Sequence, residues 1–396
     1  MKKNEIKLLT SRAVNKIGNV VYDYGNSSWI VSLGAMGQHY LGYYQLAENL
    51  ISLLLNPIGG AVADRFKRRK ILLLTDFIGG FMCLLLALIG TDQMMLYGLI
   101  TVNAVLAISH AFSGTSFRSY VVTLVDKESL VDFNAKLEII SRVISISSPL
   151  LAFLFVDRFG LKPTLLLDSL TFFLSFILLF SIRQEEQHVS VQKEPASIST
   201  IFRDIKVGLD FILHEKEVFF LLAIAALVNF FIAAFNYLLP FSNQLFADNS
   251  SYAMLLSMGA TGSILGAVFA KHLFKHSHFS ILLSLALSGV GLTLITPLSF
   301  FGLPVILITS GNLIFEFFLT IFNIHFFSMV QKKVPNELLG RVFSSIFTVA
   351  VLFMPLATTL MTTLSFSIHI LTFAVIGLGI LTMSGMAYLY AKFKLH

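Results

Sequence analysis

Three carboxylates, Asp23, Glu48 and Glu316, interrupt long apolar stretches of this 396-residue chain. A charged carboxylate is costly in an apolar medium, whereas the neutral acid is tolerated. A group that takes a proton on one side and releases it on the other is a proton carrier, and these three acids have the right type and setting. The alternative for these acids is a static pairing with a nearby cation such as Lys16 or Arg142, or a permanently protonated hydrogen-bond donor. Amides at helical spacing surround the acids. Asn15, Asn19, Asp23 and Ser27 recur every four residues, with Asn26 adjacent, and Asn312, Glu316, Thr320 and Asn323 repeat the pattern. Asn103 with His110, and Asn229 with Asn236, are pairs seven apart. Residues at these steps share one helix face, so each set forms a polar stripe able to hydrogen-bond a solute. The plainer alternative, that Asn and Ser only hold helices together, is evenly balanced for any single Asn. His110 has the chemistry of a proton relay, although a lone histidine in an apolar helix is more often a hydrogen-bonding core residue. Asp76 and Asp168 fall near the ends of apolar stretches and read as structural.

The elements that must position these residues are membrane spans. Only 13% of the chain is charged, 56% is hydrophobic, and there are 39 phenylalanines. Soluble domains carry about 25% charged residues. With a mean hydropathy of +0.81, no water-soluble surface can be covered. Twelve apolar stretches follow one another, over 10–37, 40–62, 71–90, 94–124, 135–156, 163–182, 207–240, 251–270, 279–297, 303–330, 341–362 and 366–391. Each reaches about the 20 residues needed to cross a bilayer, and several exceed it, which permits tilt or a cytoplasmic extension. The predicted fold is an all-α polytopic membrane protein with twelve transmembrane helices.

Charge placement orients it. Of 28 Lys and Arg, 22 lie in alternate connecting segments and at the termini, four lie within spans, and two (Arg158, Lys162) lie in a loop of the opposite set. This positive-inside asymmetry predicts a multi-pass protein of the cell membrane with both termini cytoplasmic. It also accounts for the +6 net charge without a nucleic-acid partner. The single cysteine, Cys83, lies in a span, so no disulfide or thiolate metal site is expected. MKKNEIK leads into a helix too polar for a signal peptide, with no small-residue cleavage site. No metal cluster, phosphate-binding loop or soluble catalytic segment points to an enzyme, and no cofactor is expected.

A polar link over 183–206 separates two six-helix halves, 1–182 and 207–396. VTLVDKESLVDFNA (122–135) aligns with QKKVPNELLGRVFS (331–344) at an offset of 209, and Pro149 matches Pro355 at 206. Half the chain is 198 residues, so the halves read as diverged parallel repeats.

The cationic link GGAVADRFKRRK (59–70) carries Gly60, Asp64, Arg65, Arg68 and Arg69. It resembles the loop 2–3 signature of the major facilitator superfamily of transporters. LVDKESLVDFNA, Ser148-Pro149, FGLKPTLLLDSLTFF and VPNELLGRVFS with Pro355 are similar to the macrolide-efflux-type permeases, a bacterial branch of that superfamily. The resemblance implies secondary, proton-coupled efflux of amphipathic compounds or drugs by alternating access, with helices 1, 4, 7 and 10 around a central cavity. A lysophospholipid or lipid translocator, or a solute importer of the same superfamily, is the alternative. It further implies that Gly60, Asp64, Arg65, Arg68 and Asp126 form a conformational latch, in which Asp64 meets the N-terminal end of span 11 and Arg68 bridges Asp64 and Asp126. The other cations of the link would set topology and touch anionic headgroups. Proton-coupling candidates are Asp23, Glu316 and Glu48. Substrate-cavity candidates are Asn19, Asn26, Asn103, His110, Asn229, Asn236, Asn312 and Asn323. The aromatics nearby (Phe230, Phe231, Phe235, Tyr237, Phe315, Phe317, Phe318) suit an amphipathic ligand. The expected partners are a small-molecule substrate, protons and membrane lipids, and the expected state is a monomer. The chain departs from the superfamily pattern at Lys67, where the loop has Gly, and at Ala270, where the second copy of the loop would carry an acid.

Overall fold

The computed structural model describes residues 2–126, 129–183, 206, 210–273, 278–333, 339–364 and 366–394, and all regular structure among them is helical. The chain divides into two compact units, Met1–Ile201 and Phe202–His396. The first holds α1 (Lys3–Ser32), α2 (Ala35–Arg65), α3 (Arg68–Ala87), α4 (Asp92–Leu124), α5 (Leu130–Phe159) and α6 (Leu161–Phe180). The second holds α7 (Lys216–Leu238), α8 (Ser251–Leu273), α9 (His278–Phe300), α10 (Val305–Lys333), α11 (Leu339–Ala350), α12 (Met354–Thr363) and α13 (Ile370–Lys394).

Nine helices among the described residues, α3 to α10 and α13, are long and apolar enough to cross a membrane. In hydrocarbon every backbone N–H and C=O must be satisfied within the protein, which is why the spans are helices. The three other expected spans differ from this pattern for identifiable reasons. At 30 and 31 residues, α1 and α2 have length to spare, about 45 Å each, but their polar residues lower their hydropathy. The span expected over 341–362 is broken into α11 and α12 by a turn at 351–353. Pro355 lies in the first turn of α12; it has no N–H to donate and clashes with the carbonyl four residues back, that of Val351. Tight bonds from Leu352 N to Val349 O (3.2 Å) and from Met354 N to Val351 O (3.1 Å) carry the chain across the break. Its counterpart Pro149 is accommodated inside the unbroken α5.

The two units repeat one packing scheme. In the first, α2 packs on α4, α3 on α4 and α6, and α1 on α5 and α6; in the second, α8 packs on α10, α9 on α10 and α13, and α7 on α11, α12 and α13. The closest approaches recur as well. A Cβ on Gly59 would lie 2.1 Å from Ala111 O, and one on Gly266 would lie 2.3 Å from Phe317 O. Both glycines therefore bring one helix onto the backbone of the next, α2 onto α4 and α8 onto α10. The amide of Asn103 on α4 donates to Tyr44 O of α2 (2.9 Å), and that of Asn312 on α10 donates to Leu255 O of α8 (2.8 Å). Asn103 and Asn312 are related by the same offset of 209 seen in the sequence.

Outward faces are apolar. Phe77, Phe81 and Leu85 on α3, and Leu166, Leu170, Leu174 and Ile177 on α6, are exposed stripes at helical spacing, the surface expected of helices in lipid. One end of the first unit is closed by a core of Leu8, Leu72, Tyr120, Leu124, Phe133 and Leu179.

Candidate functional site

Asp23 stands on α1 between Tyr22 and Tyr24, each only 2% exposed, yet Asp23 itself is exposed, as is Glu48 on α2. The two carboxylates are close enough to act on each other electrostatically. The Asn103 amide that bonds Tyr44 O also reaches the Glu48 carboxylate. An accessible acid in the body of a spanning helix must meet water or polar groups, because lipid would penalise its charge by about 2.5–3.5 kcal/mol or more. The first unit thus presents a pair of acids on one accessible face.

The rest of the α1 stripe does not form one open face. Asn15 donates to Asp76 Oδ1 of α3 (3.0 Å), and Ser11 shares a 3.1 Å bond with Ser175 of α6. Asn26 is wholly buried and donates weakly to the Tyr44 hydroxyl (3.4 Å). Asn19 stays half-buried beside Asp23. Asn26, Asn103 and Asn312, expected to line a substrate cavity, are instead buried at 0%, 5% and 3% exposure. They bind groups of neighbouring helices because an unpaired amide in an apolar bundle is costly. Asn229 bonds the Ala225 carbonyl of its own helix (2.9 Å). Asn236, Asn323 and His110 are exposed, and Glu316 is half-buried on α10, where it approaches Gly259 of α8. Thr320, one turn on, donates to or accepts from Ser263 of α8 at 3.1 Å, so this stripe packs largely against α8. Of the aromatics, Phe235, Tyr237 and Phe315 are core residues, at 2% exposure or less, with Phe235 edge-on to Phe315. They are not free to meet a ligand.

Sequence position misjudged two acids. Asp76 and Asp168 lie well inside α3 and α6, not at their ends. Asp168 is wholly buried, and its Oδ2 accepts the Cys83 thiol (3.3 Å) while its Oδ1 accepts the Thr171 hydroxyl (3.3 Å). Asp76, 4% exposed, accepts from Asn15 and, at 2.5 Å, from Ser175. Arg12, Asn15, Asp76, His110 and Ser175 line one cavity of about 20 Å³ between α1, α3, α4 and α6. Arg12 also lies 5.0 Å from the Phe117 ring. The four-residue steps that made Asn15 conspicuous also point from Ser11 to Asn15, and an acid with two buried donors is the partner such a step calls for.

Cations near the 59–70 link close the end of α6. Arg69 Nε and Nη2 donate to Leu179 O (3.1 Å) and Phe180 O (2.6 Å), and Lys7 Nζ to Ser181 O (2.9 Å). These carbonyls end α6, where a helix has unsatisfied acceptors and negative dipole. Arg68 donates to Thr123 of α4 (3.0 Å), and Asp126 pairs with Lys2 (2.6 Å). That pairing holds the Lys2 ammonium above its ordinary pKa. Asp126 was expected to pair with Arg68, and a lysine three residues from Glu5 has taken that place. Gly60, Asp64 and Arg65 lie on α2, but their surroundings and side chains fall outside the described residues, as do Glu128, Glu337 and most of the 183–206 link.

Two compact units of long apolar helices, built on one repeated scheme, with accessible acids in the first, are the architecture of a polytopic transporter class. The family model of the Major Facilitator Superfamily matches residues 23–358, and the chain belongs to that superfamily. It is a multi-pass membrane transporter, not an enzyme. It is similar to the uncharacterized MFS-type transporter YfiS of Bacillus subtilis (strain 168), 24% identical over 376 residues, covering 87% of this chain and 82% of that one. Among solved structures it is similar to a point mutant of the nucleoside transporter NupG (TM-score 0.74, 14% identity, 99% of this chain and 100% of that one). A bacterial homologue of the iron transporter ferroportin in the inward-facing state gives 0.73 at 15% identity, covering 98% and 97%. A D-xylose-proton symporter gives 0.71 at 11%, covering 97% of each chain. At such identities the shared property is the fold.

Proposed function

We propose that this transporter exports amphipathic compounds, macrolide-like drugs included, by proton-coupled alternating access. In this reading it is a monomer in the cell membrane with both termini cytoplasmic. Asp23, with Glu48 beside it, is the proton carrier of the first half, and Glu316 serves the second. The observation that carries the reading is the exposed Asp23–Glu48 pair in the body of α1 and α2. Two like charges that act on each other are costly to hold together, which makes either acid a candidate to take up a proton. A solute that binds there as a cation takes the place of that proton, which is the exchange an antiporter needs. In the first unit Asn19 and His110 are the polar groups offered to a solute; in the second, Asn236 and Asn323 are, with the partly exposed aromatics Phe230, Phe231, Phe317 and Phe318 suited to an apolar body.

The latch role belongs to Asp64, with Gly60 and Arg65 on the same helix end and Arg68 tied to α4. The test of function is a vesicle experiment. Inverted membrane vesicles are acidified inside, and the luminal pH is followed by a quenched dye while ethidium or erythromycin is added. Export in exchange for protons predicts partial alkalinisation of the lumen that requires the protein. A response to lysophosphatidylcholine, a nucleoside or a sugar, with none to ethidium or erythromycin, contradicts the drug reading.

A further inference from the structure

We propose that Asp76, facing Arg12 across the small cavity between α1, α3, α4 and α6, is a second proton-binding site, internal to the first unit and separate from Asp23 and Glu48. The hydrogen bonds argue for it. Asn15 Nδ2 can only donate, and it holds Oδ1. Oδ2 meets a hydroxyl, Ser175 Oγ, which in turn meets Ser11 Oγ in a bond that runs in either direction. With Asp76 charged, Ser11 donates to Ser175 and Ser175 donates to Oδ2. When a proton binds to Oδ2, the new O–H donates to Ser175 Oγ, Ser175 turns to donate to Ser11, and the Ser11 proton turns into the cavity that Ser11 also lines. No heavy atom needs to move, and both Asp76 oxygens and Ser175 keep a partner in either state; Ser11 alone exchanges its acceptor for the cavity. An acid whose two donors were both amides would lock in the charged form; this one is built for both.

Charge and access fit as well. Arg12 acts on Asp76 electrostatically, and no ion pair within 4.0 Å joins them among the described residues. Both line a cavity of about 20 Å³, enough for one water. His110 of α4 lines it too and is exposed, which gives the buried acid a route of imidazole and water to the accessible surface. From the helices around Asp76 the facing groups are Arg12 and Asn15 of α1, His110 of α4 and Ser175 of α6; Arg118 of α4 acts on Arg12. Protonation of Asp76 removes the negative charge on which Arg12 acts and so changes how α1 is held against α3. That is a means of linking proton uptake to helix movement.

The site can be read without any substrate, so its failure is distinct from failure of the export reading. Purified full-length protein in lipid nanodiscs is examined by pH-difference infrared spectroscopy of the carboxylic-acid carbonyl bands. Asp76→Asn should remove one titrating band that Asp23→Asn leaves in place. Ser175→Ala keeps the acid but breaks the hydroxyl chain, and should move that band and shift its pH midpoint by about half a unit or more. Should Asp76→Asn not yield folded protein, Ser175→Ala alone decides. A band set unchanged in both variants would overturn the proposal, as would loss of the same band in Asp23→Asn.

Discussion

Asparagine in this molecule stands in two settings, buried against a neighbouring helix or exposed, and single substitutions test what each does. Asn103 and Asn312 each bridge to a carbonyl of the neighbouring helix. Replacing either by Ala should lower the stability of the detergent-solubilised protein by about 0.5–1.5 kcal/mol, the usual worth of an interhelical bond in a membrane; Asn312→Ala should leave the choice of substrate unchanged, whereas Asn103→Ala also disturbs Glu48, which its amide reaches. Thermal unfolding with a parallel transport assay checks both halves of that statement. Asn323→Ala, at an exposed position, should do the reverse: ordinary stability with altered transport. These roles were not separable in the sequence, because four-residue spacing gives a shared face but not what that face meets. The stripe of α1 looked continuous, yet Ser11 and Asn15 turn to α6 and α3 while Asp23 stays open. Asp76 and Asp168 were missed for a related reason. Distance from the end of an apolar run measures depth poorly when a helix begins inside its own cationic loop, as α3 does at Arg68.

Helices in each unit approach most closely where glycine lets backbone meet backbone. Gly266→Leu would drive a side chain into the Phe317 carbonyl. Overpacking of this kind costs typically 1–3 kcal/mol, so α8 and α10 should separate and the melting temperature should fall. Gly59→Leu should act in the same way on α2 and α4, and a melting temperature equal to the parent's in both variants would refute the close-packing account. At the cationic link, Asp64→Asn should fold normally and shift the balance between inward- and outward-facing states by about 1–3 kcal/mol, a common coupling magnitude. Distance measurements between spin labels on the two halves would register the shift; populations equal to the parent's would leave the link with topology and α6 capping alone. Helix positions were legible from apolar length at nine of twelve spans among the described residues. The break before Pro355 was not, because Pro149 in the matching place bends nothing out of α5, and a proline reveals a clash but not whether the bundle absorbs it.

At the scale of the whole molecule, the repeat was visible in sequence as scattered matches, and its strongest physical expression lies elsewhere. The aligned Glu128 and Glu337 fall outside the described residues, whereas the Asn103 and Asn312 bonds and the Gly59 and Gly266 contacts place equivalent chemistry in both units. Helix contacts of this kind leave only a residue or two per element in sequence, too sparse to align. Orientation rests on the cations: cysteines introduced at Lys67, Lys193 and Lys332 should react with an impermeant reagent only from the cytoplasm, and those at Lys162 and Asn249 only from outside. Labelling of position 193 in intact cells from the external side would reverse the assignment. The central claim, that an accessible acid in α1 carries the coupling proton, is tested most directly by measuring proton and drug flux together in proteoliposomes bearing Asp23→Asn. An amide has the shape of the acid but cannot carry the proton, so pH-driven accumulation of ethidium should be abolished while downhill exchange survives, and Asp23→Glu should restore part of the coupling. Accumulation against a gradient by Asp23→Asn equal to that of the parent would contradict the account.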